Sequence, residues 1–242
     1  MLRLTCLIAV ILFISLHNLA LANIYGEWIS GNGIYVKLSD DEVIVDNGYH
    51  TSMFDNHSKR GLLIFKAYRK RHTFQIIRSS EDSLIIKPKN NSSRRLVRSD
   101  SLLTFIRKES ILIKELNFQG LHARFEGGQH SKCFEIRIYI DSTYTVWCER
   151  ECVCSICSGW FKGSLSDSTQ EKLLEMIYQA LPDQVRSHSG SGFDCYSKEL
   201  ILMYNNEESS YRYCSATPYL MQDLLNFLML IETHCMLERI EE

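Results

Sequence analysis

Four cysteines lie close together in the second half of the chain: Cys148, Cys152, Cys154 and Cys157. Four thiolates on one short segment could bind zinc, because zinc takes sulfur ligands tetrahedrally and Cys-x-x-Cys is a common half-site. A structural zinc site normally draws its two ligand pairs from separate segments, however. Disulfides are therefore the favoured interpretation of this cluster, and a metal site is the alternative.

The second half also holds the other cysteines that follow the first 22 residues. The eight disulfide candidates are Cys133, Cys148, Cys152, Cys154, Cys157, Cys195, Cys214 and Cys235. An even number of cysteines in an exported protein predicts structural disulfides, but sequence alone does not fix their connectivity. Cys148 and Cys157 are the pair that we expect across a hairpin, whereas Cys152 and Cys154 are too close to each other for an easy bond.

Evidence for catalysis is weak in this sequence. Cys154 and Cys157 have a redox spacing, but the acidic Glu149 and Glu151 nearby would raise the thiol pKa. His188 lies in a Ser- and Gly-rich loop without a Gly-x-Ser-x-Gly elbow. We therefore predict no catalytic residue and no cofactor. A thiol- or His-dependent enzyme, or a metal-binding cysteine loop, is the alternative.

Residues 1–22 read as a signal peptide. Arg3 precedes an apolar run, and Ala20-Leu21-Ala22 supplies a step that a signal peptidase accepts. The apolar run is shorter than the ~20 residues that span a bilayer, so no stable membrane span is expected after cleavage. We expect a secreted or periplasmic protein that begins near Asn23.

Charge divides the remaining chain. Residues 23–109 hold 15 basic and 10 acidic side chains, whereas residues 110–242 hold 11 basic and 19 acidic ones, which gives net charges of +5 and −8. This change of sign predicts two domains, 23–109 and 110–242. The basic runs at 69–72 and 94–98 are interpreted as solvated turns. Nucleic acid is not an expected partner of an exported protein.

The first domain reads as short strands separated by turns. Alternation of apolar and polar residues over 26–29, 34–38 and 43–45 continues in four later segments, and no long helical pattern occurs. About seven such strands predict an all-β domain, a sandwich or a small closed barrel.

The motif Gly26-x-Trp28, the hairpin pattern of 74–77 with 83–87, and the closing segment 103–107 resemble the lipocalin-like domains of secreted bacterial proteins. That resemblance implies a small barrel or half-barrel that could hold a small apolar ligand. Trp28 would then be a ligand-binding candidate, or a plug of the barrel floor.

The second domain reads as α+β. We predict a first strand at 111–118, a strand at 133–140, a hairpin of 144–148 with 159–163, and a hairpin that turns at Asn205-Asn206. Helical spacing predicts one helix that starts near Ser168 and ends at Pro182, and a last one from Thr217 to Cys235. Two helices against one antiparallel sheet is the expected architecture.

This order of elements is similar to that of a domain of unknown function in secreted Bacteroidetes proteins, the Cys-Pro-x-Tyr strand family. The matching segments are 133–136, the Gly-x-Phe-x-Gly-like 159–163, Leu165-Ser166 and Asp194. Phe134 and Ile136 stand where the family has proline and tyrosine. The family has no established activity to transfer. Our leading hypothesis is a secreted or periplasmic two-domain binding or interaction protein, with a small apolar ligand in the first domain or a protein partner on the second.

Overall fold

The computed structural model describes residues 24–47, 51–59, 61–112, 115–127, 133–153, 157–180, 197–214 and 217–240. Its backbone forms two compact units that divide near residue 111, and each is described here by itself. That the units are separate domains, 23–109 and 110–242, stays a prediction. The predicted signal peptide, 1–22, lies outside the described residues.

The first unit contains a closed antiparallel barrel of eight strands, each paired with its neighbour in sequence. Pairing of the first strand with the last closes it, and Ile29 lies opposite Ile106 there. The strands are β1 (Gly26–Ser30), β2 (Tyr35–Leu38), β3 (Glu42–Asp46), β4 (Thr51–Asn56), β5 (Leu62–Ala67), β6 (Lys70–Ser79), β7 (Ser83–Pro88) and β8 (Leu103–Arg107). The predicted small closed barrel is therefore confirmed as an architecture.

A short helix, α1 (Asn91–Val97), connects β7 to β8 and was not predicted. Its N-terminus is a capping box, in which Asn90 Oδ1 accepts from the Ser93 backbone N–H and Ser93 Oγ accepts from the Asn90 N–H. Leu96 and Val97 belong to the barrel's apolar core. The first unit is thus not purely β, because this helix buries two of its own apolar side chains.

The second unit is built on a seven-stranded antiparallel sheet with the order β14-β13-β9-β10-β11-β12-β15. Its strands are β9 (Phe118–Glu126), β10 (Cys133–Asp141), β11 (Thr145–Cys152), β12 (Gly159–Ser164), β13 (Ser197–Tyr204), β14 (Glu207–Cys214) and β15 (Glu238–Arg239). The Asn205-Asn206 hairpin is confirmed. Both asparagines have positive φ, the conformation that a tight two-residue hairpin turn needs.

Two helices pack on one face of this sheet: α2 (Asp167–Ala180) and α3 (Gln222–Met229). Leu173 and Ile177 of α2 and Leu224 and Leu228 of α3 are fully buried in one cluster with alternate residues of the strands. The last helix, which was predicted over 217–235, is shorter than expected. It covers only Gln222–Met229, and a 3-10 turn lies on each side of it. Over the part of the chain that the structure describes, no helix is long and apolar enough to cross a membrane.

The predicted strand at 111–118 is wrong. The strand begins at Phe118 and continues to Glu126, where Leu121, Ala123 and Phe125 alternate into the core. The apolar run that begins at Ile111 instead follows a 3-10 turn at the end of the barrel. Period-two alternation, which separates the two faces of a strand, was the better signal than local hydrophobicity.

Candidate functional site

The barrel interior is the first place to look for a ligand, and it is full. Its cavity measures only about 10 Å³, and it is lined entirely by apolar side chains, among them Phe65, Phe74 and Phe105. A single water needs about that much space. This cavity by itself is therefore too small for a small apolar ligand of the kind that the resemblance implies.

Trp28 is fully buried in this barrel, where it lies in the same apolar cluster. Its indole Nε1 donates to the Ile24 carbonyl at 2.7 Å, and the Arg107 guanidinium lies 4.5 Å from the ring centroid. Gly26 permits this arrangement, because a Cβ there would come within 2.6 Å of Arg107 Nη1. The Gly-x-Trp motif thus has a packing explanation.

The cysteine cluster is not arranged as the sequence suggested. Cys148, Cys157 and Cys235 are reduced thiols, so the predicted Cys148–Cys157 disulfide is wrong. The register explains why: Cys148 lies opposite Phe161 and points into the core, whereas Cys157 is exposed before β12 begins. Cys152 is disulfide-bonded, and the side chain that completes this bond lies outside the described residues.

Neither described core thiol is suited to nucleophilic chemistry. Burial raises the pKa of Cys148, and this effect outweighs the hydrogen bond that Cys148 shares with Arg150. Burial likewise raises the pKa of Cys235. Among the residues that the structure describes, no group of three or more His, Cys, Asp or Glu side chains could hold a metal ion. Cys154, Cys195, His188 and Asp194 lie outside those residues, as do the side chains of Cys133, Phe134 and Cys214.

The face of the second sheet opposite α2 and α3, hereafter the outer face, has a different character. It carries a row of side chains from neighbouring strands, in which the register places His122 beside Tyr139 and Tyr139 beside Trp147. Trp160 lies on β12 opposite Glu149, two residue pairs away from the pair of Trp147 with Lys162. Tyr139 and Trp160 remain 40% and 37% exposed, which is unusual for large aromatic side chains on a paired sheet.

These rings form one wall of a cavity of about 380 Å³, which we call the aromatic groove. Its lining includes Tyr139, Asp141, Trp147, Trp160 and Met203. Gly120 makes the floor, because a Cβ at this position would lie 2.8 Å from Met203 Cε and 3.2 Å from the Ile140 carbonyl. A groove of this size, lined by rings and a single carboxylate, has the properties of a small binding site.

The polar groups at the groove are held in place. Asp141 Oδ1 accepts hydrogen bonds from the backbone N–H groups of Thr143 at 2.8 Å and Thr145 at 3.0 Å. Burial alone would raise the pKa of Asp141, but these bonds and the nearby charge of Lys162 lower it. The Lys162 ammonium also lies 5.4 Å from the Trp147 ring centroid. Asp141 is therefore a carboxylate at neutral pH.

His122 borders the groove and stacks on Tyr139 with centroids 4.2 Å apart and nearly parallel planes. Its Nε2 is buried and has no hydrogen-bond partner among the described residues. Burial lowers the pKa of His122, and the charge of Glu199 offsets this only in part. The imidazole is thus a neutral, flat support for Tyr139.

A charge ladder runs along the outer face beside the aromatic row. Arg124 pairs with Glu126 at 2.9 Å and also with Glu135, and Arg137 pairs with Glu135 at 2.7 Å and with Glu149 at 2.8 Å. Burial would raise the pKa of Glu135, but the hydrogen bonds from both arginines lower it. Both arginines are thus already engaged by carboxylates of this face.

A second cavity, of about 510 Å³, opens between α2 and α3 on the other side of the unit. Lys172, Glu175, Asp223 and His234 lie at its rim, and His234 stacks on Phe227 at 4.2 Å. Burial and the charge of Lys172 lower the pKa of His234. This helix cleft mixes both signs of charge and has no serine, threonine or cysteine among its lining residues, so we assign no chemistry to it.

The aromatic groove was not predicted from sequence. Tyr139, Trp147 and Trp160 are separated by eight and thirteen residues, and only the strand register brings them onto one face. The one available signal was the alternation of β10 and β11, which places Tyr139 and Trp147 opposite their buried neighbours. Comparison of the chain with protein-family models, with curated proteins and with solved structures gives no match.

Proposed function

We propose that this chain is a secreted or periplasmic binding protein without catalytic activity, and that it binds a protein partner at the aromatic groove. One observation carries the proposal: Tyr139, Trp147 and Trp160 are partly exposed around a groove on the sheet face opposite the two described helices, α2 and α3. Exposed aromatic clusters with a polar surround are typical of protein interaction sites.

The barrel supports this assignment by elimination. Its closed eight-stranded architecture favours the proposed lipocalin-like resemblance, but its cavity of about 10 Å³ argues against a bound apolar ligand. We therefore assign binding to the second unit and a structural role to Trp28. The proposed resemblance to secreted Bacteroidetes proteins is consistent with this assignment of roles to the two units, but it supplies no known activity.

The proposal is tested with small organic probes, phenol and isopropanol, added to the isotopically labelled full chain. The chain holds three tryptophans, so its three indole N–H signals report on Trp28 in the barrel and on Trp147 and Trp160 at the groove. We expect both probes to shift the two groove signals at lower concentration than that of Trp28. Preferential shifts of Trp28 and barrel amides would overturn the proposal.

Two variants make this test specific. Trp160→Ala should abolish the preference of the probes for the groove, because it removes one ring from the wall. Met53→Ala, which removes an apolar side chain that is 64% exposed on the barrel, is the control and should leave the groove signals responsive. Equal responses of the two variants would assign the shifts to nonspecific contact with exposed apolar groups.

A further inference from the structure

The charged side chains around the aromatic groove favour a ligand of one charge over the other. By register, the described residues of the outer face carry eight carboxylates against four cationic groups. The acidic ones are Glu126, Glu135, Asp141, Glu149, Glu151, Glu199, Glu208 and Glu238, and the basic ones are Arg124, Arg137, Lys162 and Arg212. An anionic ligand is disfavoured on this face.

The groove already binds one cation, the chain's own. The Lys162 ammonium lies over the Trp147 ring, and its charge lowers the pKa of Asp141. Ring faces attract cations because their quadrupole is negative above the plane, and tryptophan does so most strongly. Among the described residues, two arginines also lie over rings, Arg107 over Trp28 at 4.5 Å and Arg150 over Phe161 at 5.1 Å.

The ring of Trp160 differs from that of Trp147 in having no such cation among the residues that the structure describes. It is 37% exposed, and no described cation lies over it within the distances that join Lys162 to Trp147. The register places it beside Glu149, whose carboxylate already accepts from Arg137. A planar guanidinium fits this position better than an ammonium, because it can stack on the ring and donate in its own plane to a carboxylate.

We propose that the groove accepts an arginine side chain from an extended basic segment of a partner protein. This inference rests on the proposed function and names the chemistry of the partner. Charge complementarity with an acidic, ring-lined face is the argument, and the second half of the chain, with 11 basic and 19 acidic residues, extends that field beyond the groove.

The experiment uses a synthetic peptide of alternating glycine and arginine and the same peptide with citrulline, the neutral isostere of arginine. Titration of the full chain is followed by the indole signals of Trp147 and Trp160, with Trp28 as the internal reference. We expect the arginine peptide to bind at least about fivefold more tightly than the citrulline peptide, a difference that added salt reduces. Equal affinities, or no groove response to either peptide, would overturn the inference.

Lys162→Gln sharpens the test, because it removes the chain's own competing cation from Trp147. We expect the arginine peptide to bind this variant about threefold more tightly. Lys172→Gln makes the same charge change at the helix cleft and should leave the affinity nearly unchanged. Weaker or unchanged binding to Lys162→Gln would contradict the cation site. The phenol and isopropanol result is independent of both outcomes, so it distinguishes a wrong ligand class from a wrong surface.

Discussion

The barrel interior and the outer face of the second sheet use aromatic side chains in opposite ways. In the barrel, Phe65, Phe74 and Phe105 point inward and fill the space that the closed sheet encloses. In the second unit, the two described helices cover one face, and Tyr139 and Trp160 stay partly exposed on the other. A closed barrel buries its apolar side chains in its interior, whereas an open sheet has a second face on which a partner can dock.

The comparison predicts that the same kind of substitution costs much more stability in the barrel than on the outer face. Phe74→Ala should lower the free energy of unfolding by about 4 kcal/mol, because it empties a packed interior. Trp160→Ala should change it by less than about 1 kcal/mol, because its ring is already partly hydrated. Denaturant unfolding followed by the indole signals measures both, with Trp28 reporting on the barrel. A large loss of stability in Trp160→Ala would mean that the groove is a core element.

An ion pair of the barrel unit and an ion pair of the outer face also differ in how far they are buried. Lys108 and Glu27 pair at 2.9 Å in the barrel unit, with side-chain exposures of only 8% and 25%. Burial would raise the pKa of Glu27, but the hydrogen bond and charge of Lys108 lower it. Lys108→Met leaves that partly buried carboxylate with one cation less and should cost about 3 kcal/mol.

The control for this prediction is Arg137→Met on the outer face. The Arg137–Glu149 pair is 38% and 28% exposed, so water replaces the lost contact and the cost should stay below about 1 kcal/mol. Both variants are compared by denaturant unfolding at low and high salt. Equal costs would show that burial does not separate the two pairs. The double variant Glu27→Gln, Lys108→Met should recover part of the loss, since it removes both charges.

Most strands were predictable because alternation survives in their sequences. Along β13, and along parts of β11, β12 and β14, more buried and more exposed side chains alternate, and the Asn205-Asn206 turn carries residues suited to it. Strand β4 was missed for the converse reason, since only Phe54 of its six residues is buried. Helix α1 was missed because its capping box lies within a polar, basic segment that reads as a turn.

The site was less predictable than the fold. Cysteines attract attention by type and spacing, yet strand register decides which of them can meet, and it places Cys148 in the core away from Cys157. The groove residues carry no motif, because rings that are far apart in sequence become neighbours only across strands. Gly120 reads as an unremarkable glycine until Met203 is placed above it. Cross-strand neighbours are a tertiary property that local spacing does not encode.

The thiols extend the comparison of buried and exposed groups. Cys157 is exposed, whereas Cys148 is fully buried beneath the helices and its pKa is raised by that burial. Under native conditions a maleimide should modify Cys157 at least about a hundredfold faster than Cys148, because modification of Cys148 requires opening of the core. Peptide mass spectrometry after timed labelling measures the ratio, and denaturant should abolish it. Comparable native rates would place Cys148 at the surface.

The smallest predicted effect concerns pH and the outer face. The pKa of His122 is lowered in the folded chain, mainly by burial, so between that value and about 6.5 the unfolded chain binds more protons than the folded one. Stability contributed by neutral His122 is therefore complete above about pH 6.5 and is lost as the pH falls through this window.

His122→Phe should remove this loss, because phenylalanine keeps a flat ring against Tyr139 and does not titrate. The difference between the two proteins should be under about 1 kcal/mol from neutral to mildly acidic pH, and it should appear in the Trp147 and Trp160 signals. His72 in the barrel, whose pKa burial also lowers, is the internal comparison and should give both proteins the same pH dependence at Trp28. If the pH dependence at the groove is unchanged in His122→Phe, His122 is hydrated. Its support of Tyr139 then does not depend on the neutral form of the imidazole.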